Sequence, residues 1–130
     1  MRFLVALLFL AMPALAEETP MSPEDFEALV TGQTLSYSSG GIEYGAETYF
    51  ENRRVRWSFL DGECTEGHWY VAADLICFVY DDIPNHQCWK FYLRGGQLLA
   101  RFENDPEADA IYSTHKRKES LLCLGPDVGV

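Results

Sequence analysis

Apolar and polar residues alternate along much of the chain after residue 34. In RVRWSF, residues 54–59, the apolar Val55, Trp57 and Phe59 alternate with arginine and serine. This period of two is typical of a β-strand with one face in the core and the other in water. The segments HWYVA and CWKFYL alternate in the same way. They predict five further inward side chains: Trp69, Val71, Trp89, Phe91 and Leu93.

Turn-forming segments separate these apolar runs about every eight to twelve residues, a spacing typical of antiparallel barrels and sandwiches. They lie at residues 38–41, 51–53, 61–63, 72–74, 81–85 and 94–96. LICFVY, residues 75–80, is apolar throughout and predicts a central strand covered on both sides. The pattern predicts an all-β fold, mainly an antiparallel meander. It leaves a small barrel and a sandwich both open.

One short helix is predicted before the first strand, in SPEDFEALVTG at residues 22–32. Ser22 is a typical N-cap, Pro23 suits the first turn, and Gly32 marks the end. Three apolar residues share one face of this helix: Phe26, Leu29 and Val30. We expect that face to dock on the core of the β domain.

The amino-terminal segment has the features of a cleaved signal peptide. Arg2 precedes an apolar run at residues 3–12, and Ala14-Leu15-Ala16 forms a small-x-small cleavage site. The apolar run is about half as long as a membrane-spanning helix requires. The sequence predicts a signal peptide at residues 1–16, one β domain at residues 17–130, and a periplasmic or secreted protein without a membrane anchor.

The four cysteines are predicted to form a disulfide framework, because an even number follows an export signal. They are Cys64, Cys77, Cys88 and Cys123. Four cysteines permit three pairings. A hairpin of residues 67–73 with 75–81 would bring residue 64 near Cys88, which favours Cys64–Cys88 and Cys77–Cys123. The pair His86 and Cys88 lacks the ligand spacing of a zinc site.

Composition restricts the partners. The chain has 20 acidic and 10 basic residues and a formal net charge of -10. Such a charge repels phosphate backbones and anionic membrane surfaces, so nucleic acid is not an expected partner. It favours cationic partners and also keeps an exported protein in solution.

No arrangement of residues predicts an enzyme. Serines and histidines are present, but no GxSxG segment marks a nucleophile. Asp81 and Asp82 precede Pro84 and are typical of a turn rather than an acid–base pair. The loop at 81–85 lacks the glycine and alternating ligands of a calcium loop. The sequence predicts a non-catalytic protein without a metal or cofactor.

Aromatic residues are the one feature that favours a binding function. They crowd the predicted strands, and aromatic side chains at a barrel mouth suit apolar ligands. The tryptophans fall at inward positions, where core packing explains them. The residues predicted to bind are Tyr44, Tyr49, Tyr70 and Tyr92.

Six segments of the chain resemble a family of small exported bacterial proteins of uncharacterised function. They are GAETYFENRRVRWSFLDGEC, GHWY, ICFVY, CWKFY, RFENDP and CLGPDVGV. This resemblance covers nearly the whole chain after residue 16 and implies no activity. The regular meander also resembles small lipocalin-like barrels, and a shared architecture alone does not define a function.

We therefore expect a binding module for a small apolar ligand or a protein partner. The alternative is an acidic inhibitor of a cationic enzyme such as lysozyme. GAETY, residues 45–49, is loosely similar to the segment with which exported barrel inhibitors of lysozyme plug the active site.

Overall fold

The computed structural model of the protein describes residues 18–123. The predicted signal peptide at residues 1–16 lies outside the described residues. Eight antiparallel strands follow one another around a closed barrel, and β1 pairs with β8. The strands are β1 (Thr34–Ser39), β2 (Ile42–Tyr49), β3 (Arg54–Ser58), β4 (Thr65–Ala72), β5 (Leu75–Tyr80), β6 (Ile83–Arg94), β7 (Gln97–Phe102) and β8 (Ile111–Arg117). The all-β prediction is confirmed, and the sheet is a barrel rather than a sandwich.

The predicted turn segments lie at short connections between the strands, although β6 already begins at Ile83, within the segment predicted as a turn at 81–85. Gly95 and Gly96 join β6 to β7 with φ angles of 55° and 81°. Two consecutive positive φ angles are typical of the tight hairpin turn whose twist matches that of the flanking strands. Each strand therefore returns directly beside its predecessor, which produces the up-and-down order of the barrel.

Alternation correctly identifies which side chains face the barrel interior. Val55, Trp57, Trp69 and Phe91 are buried in one core cluster, and Trp89 is half-buried against it. The prediction was wrong for three residues, because each lies at the rim, where no opposite strand covers it. They are Phe59, Val71 and Leu93, with exposed fractions of 52%, 38% and 48%.

The predicted central strand is part of the barrel wall. Along β5, Ile76, Phe78 and Tyr80 belong to the interior cluster. Cys77 points the other way and is fully buried. Its disulfide partner Cys88 lies beside it on the neighbouring strand.

The predicted helix is confirmed as α1 (Pro23–Val30), and it closes one end of the barrel. The Ser22 hydroxyl accepts a hydrogen bond from the Asp25 backbone N–H at 3.1 Å, as an N-cap residue does. Phe26 is fully buried, with its ring 4.4 Å from that of Phe91 and 5.4 Å from that of Trp69 between centroids. The helix thus fills the end of the barrel where β1 begins.

A C-terminal strap, residues 118–123, crosses the outside of β1 to β3. Leu121 is buried, and its backbone N–H donates to the Thr48 hydroxyl at 2.9 Å. Thr34 donates to the carbonyl of Glu119 at 2.7 Å. Arg56 donates to the Leu121 carbonyl at 3.2 Å. The strap therefore runs back from the end of β8 and covers a polar part of the barrel wall.

All four cysteines form disulfides, but the predicted pairing was wrong. Cys77 bonds to Cys88, and Cys64 bonds to Cys123. The β5–β6 hairpin places Cys77 directly opposite Cys88 in register, with 3.9 Å between their Cα atoms. Cys64 precedes β4 and meets the end of the strap. The prediction assumed that residue 64 lies beside the turn that precedes β6. It did not take into account the register of the β5–β6 hairpin.

Candidate functional site

The barrel end opposite α1 is open and carries an aromatic mouth, formed by Tyr44, Trp57 and Phe59. The ring centroids of each pair lie 5.3 to 5.7 Å apart. Tyr44 and Phe59 are 40% and 52% exposed, whereas Trp57 is buried. A Cβ at Gly45 would lie 2.3 Å from the Trp57 ring, so glycine is required for the indole to lie against β2. The mouth thus presents apolar rings to solvent at the entrance of the barrel.

Behind the mouth lies an interior cavity of about 40 Å³. Aromatic and aliphatic side chains form most of its wall, including Phe78 and Phe91. A water needs roughly 10–15 Å³ in the same measure, so the cavity holds one small chemical group rather than a drug-sized molecule. A larger ligand would extend from the cavity through the mouth.

Glu47 is the charged residue at the cavity wall. It lies on β2 and is 1% exposed. The Tyr80 hydroxyl donates to its Oε1 at 2.8 Å. Its Oε2 has no hydrogen-bond partner among residues 18–123. Buried polar atoms in proteins are nearly always hydrogen-bonded, so this oxygen is a candidate contact for a ligand group.

The surroundings of Glu47 favour the neutral carboxylic acid. Burial raises the pKa of Glu47 well above its usual value. The hydrogen bond from Tyr80 opposes this rise by stabilising the carboxylate, and the charge of Glu66 on β4 adds to it. None of the described residues that line the cavity is basic. Glu47 thus lacks an internal cation that would hold it ionised.

Two further tyrosines contribute to the polar part of the cavity wall, which also includes Gln87. The hydroxyls of Tyr37 and Tyr49 lie 2.7 Å apart and share a hydrogen bond. Burial raises the pKa of both phenols, and the nearby Glu47 raises it further. Both hydroxyls therefore stay protonated, and each retains lone pairs that can accept from a ligand.

An acidic groove adjoins the mouth. Trp57 and Phe59 form part of its wall, together with acidic residues of two neighbouring loops. Its volume is about 170 Å³. The acidic residues are Asp61, Glu63 and Asp82, and all three are exposed. The route into the barrel thus passes negative charge before it reaches the aromatic rings.

The structure separates the four tyrosines predicted to bind. Tyr44 lies at the mouth and Tyr49 at the cavity wall. Tyr70 and Tyr92 follow the inward-facing Trp69 and Phe91 along their strands and lie on the outer surface. The Tyr70 hydroxyl is 2.7 Å from Nδ1 of His86 there. The structure therefore brings two of the four together and leaves the other two outside the cavity.

The segment that contains Cys77, His86 and Cys88 has a structural role. Cys77 and Cys88 are joined, so neither thiolate is free to bind a metal. Within residues 18–123, no group of three or more His, Cys, Asp or Glu side chains is arranged to hold a metal ion. His86 instead contacts Tyr70.

Sequence reasoning missed Glu47, although the pattern contained a signal for it. In IEYGAETY, alternation back from the inward Tyr49 places Glu47 and Gly45 on the same face. An acid at an inward position of a strand has few structural explanations, because an unpaired buried charge is costly. Because apolar and polar residues are mixed in this segment, the inward position of Glu47 was not recognised.

No family model, curated protein or solved structure matches the chain. The closed eight-stranded barrel is compatible with the resemblance to lipocalin-like barrels. The resemblance to an exported bacterial family stays a prediction. Two disulfides indicate an oxidising compartment rather than the cytoplasm. Within the described residues, no helix has the length and apolar character needed to cross a membrane.

Proposed function

We propose that this protein is a non-catalytic binding module that takes a small, mainly apolar ligand at the mouth of the barrel. The observation that carries the proposal is the exposed aromatic mouth, which leads directly into an interior cavity. The rings of Tyr44 and Phe59 are apolar surfaces that water contacts in the free protein. A ligand that covered them would gain the free energy of removing apolar surface from water.

The opposite end of the barrel supports this location. There α1 fills the barrel with Phe26 and Val30, both fully buried. The ligand would thus enter between the loops that follow β1, β3, β5 and β7. The predicted signal peptide and the two disulfides support a site of action in the periplasm or outside the cell.

A Phe59→Ser variant is expected to weaken binding of a neutral fluorescent probe, N-phenyl-1-naphthylamine, by about tenfold, because it removes an apolar ring from the mouth. Probe fluorescence should rise on addition of the wild-type protein, and titration gives the affinity. Leu93→Ser is the matched control, since Leu93 is similarly exposed at the closed end. An equal loss in both variants, or no probe binding to the wild type, would contradict the proposal.

A second candidate, an acidic inhibitor of a basic enzyme, is supported by the net charge of -10 and by the acidic groove. Residues 45–49 (GAETY) are all buried within β2. This segment therefore cannot be inserted into the active site of an enzyme. An inhibitor would instead present the acidic groove to its partner.

The inhibitor candidate predicts that lysozyme activity falls when the protein is added at low salt and recovers at about 0.5 M salt, because exposed charges are then screened over a few ångströms. Cell-wall lysis assays at the two salt concentrations make this measurement. Full lysozyme activity at low salt, with this protein in excess, would exclude lysozyme as the partner.

A further inference from the structure

We propose that the ligand of this barrel is a small organic cation, a primary amine whose ammonium group lies against Glu47 and whose apolar stem leaves through the aromatic mouth. This inference rests on the proposed function, since it specifies the chemistry of the ligand that the mouth would take. Three independent features of the described residues support it.

The first feature is the carboxyl group itself. Glu47 is buried at the cavity wall, and its Oε2 has no hydrogen-bond partner among the described residues. An ammonium group supplies three N–H donors and a positive charge. One donor would bond to Oε2, and the hydroxyls of Tyr37 and Tyr49 offer acceptors for the others. These bonds are needed because a buried ion pair is stable only when its remaining polar atoms are satisfied.

The second feature is the aromatic surface around the site. Faces of tryptophan and tyrosine attract cations, and cages of such rings recognise ammonium groups in many proteins. The cavity of about 40 Å³ admits a group the size of an ammonium with its first methylene. The rest of an alkyl stem would contact Trp57 and Phe59 on its way out.

The third feature is the charge along the entry route. The acidic groove beside the mouth carries Asp61, Glu63 and Asp82. Negative charge at the entrance concentrates cations and repels anions. A carboxylate ligand such as a fatty acid would meet repulsion at the groove. The charges therefore favour a cationic head group over an anionic one.

The head group determines which way affinity changes with pH. When an ammonium binds to the protonated Glu47, the carboxyl proton leaves to solvent and a carboxylate–ammonium pair forms. The titratable groups that act on Glu47 are the buried phenols of Tyr80, Tyr37 and Tyr49 and, through its charge alone, Glu66 on the outer face of β4. The three phenols stay protonated in the neutral range. Affinity should therefore rise as much as tenfold per pH unit while free Glu47 holds its proton.

The test compares three ligands with the same six-carbon stem: hexylamine, 1-hexanol and hexanoate. Isothermal titration calorimetry at pH 7 should show hexylamine binding at least tenfold more tightly than the other two. Repeating the titration in two buffers of different ionisation enthalpy should show release of up to one proton. Glu47→Gln should weaken hexylamine binding at least tenfold more than it weakens 1-hexanol binding. Glu24→Gln, the same substitution at an exposed residue of α1, should change neither.

The outcomes separate this inference from the proposed function. Equal affinity for hexylamine and 1-hexanol would overturn the cation assignment and leave an apolar ligand site in place. Unchanged hexylamine binding in Glu47→Gln would also overturn it. Failure of all three ligands and of the naphthylamine probe would overturn both proposals. Binding of 1-hexanol to the Glu47→Gln variant shows that the variant is folded.

Discussion

Replacing Cys64 and Cys123 together by alanine should lower the free energy of unfolding by about 4 kcal/mol. This disulfide joins residues 59 positions apart, and closing so long a loop removes much conformational entropy from the unfolded chain. It also fixes the C-terminal strap, so its loss frees Leu121 from the outside of β2. Small domains are typically stable by 5–15 kcal/mol, so this is a large share of the total.

The second disulfide provides the matched control. Cys77 and Cys88 are 11 positions apart, and the same loop-entropy relation gives about 3 kcal/mol for their replacement by alanine. Urea unfolding of both double variants under oxidising conditions measures the two losses. A lower stability of the Cys77–Cys88 variant would contradict the prediction. Loop length and attachment of the strap would then not determine how much each disulfide stabilises the protein.

Glu47→Gln should stabilise the protein relative to wild type as pH rises above about 4.5, the usual pKa of a glutamate. In the folded protein the pKa of Glu47 is raised, so folded Glu47 still binds a proton that the unfolded chain has lost. The free energy of unfolding of the wild type therefore falls with pH, by about 1.4 kcal/mol per unit, until folded Glu47 ionises. Glutamine does not titrate, and the variant lacks this fall.

The measurement is urea unfolding of both proteins from pH 4 to pH 8. Below about pH 4.5 Glu47 is protonated in both the folded and the unfolded wild type. Any difference in stability between wild type and variant then reflects the amide alone. Above pH 4.5 the variant should become steadily more stable relative to wild type until folded Glu47 ionises. The Glu24→Gln variant serves as the control for removal of one acid. Parallel pH profiles for wild type and Glu47→Gln would show that Glu47 is not buried as the structure describes.

Local patterns in the sequence were sufficient to predict the helix α1 and the strands β3 to β6. Alternation at Val55 and Trp57 identifies a two-faced strand, because only one face of that strand can be in the core. Ser22, Pro23 and the stripe through Phe26 identify a helix for equally local reasons. The barrel itself could not be distinguished from a sandwich, because closure depends on the pairing of β1 with β8, which lie far apart in sequence.

The errors have one physical cause in common. The spacing of residues along one strand does not indicate which residues lie opposite them in the folded protein. Phe59 has the same alternation as Trp57, yet it lies beyond the end of β3 and faces solvent. Cys88 was assigned to Cys64 because the register of the β5–β6 hairpin is not visible in either strand alone. Glu47 was overlooked because its burial depends on Tyr80 and the other residues across the barrel.

Closure of the barrel also has a consequence for the order of events during folding. The Thr114 hydroxyl donates to the carbonyl of Ser36 at 3.3 Å across 78 positions of sequence, at the contact between the last strand and the first. A chain that emerges from a membrane translocon N-terminus first can form the β5–β6 hairpin before β8 has appeared. It cannot form the β1–β8 contact, so until β8 appears β1 exposes an unpaired edge that can join a neighbouring chain. Aggregation is therefore most probable in the interval before the last strand appears, and chaperones would have the greatest effect then.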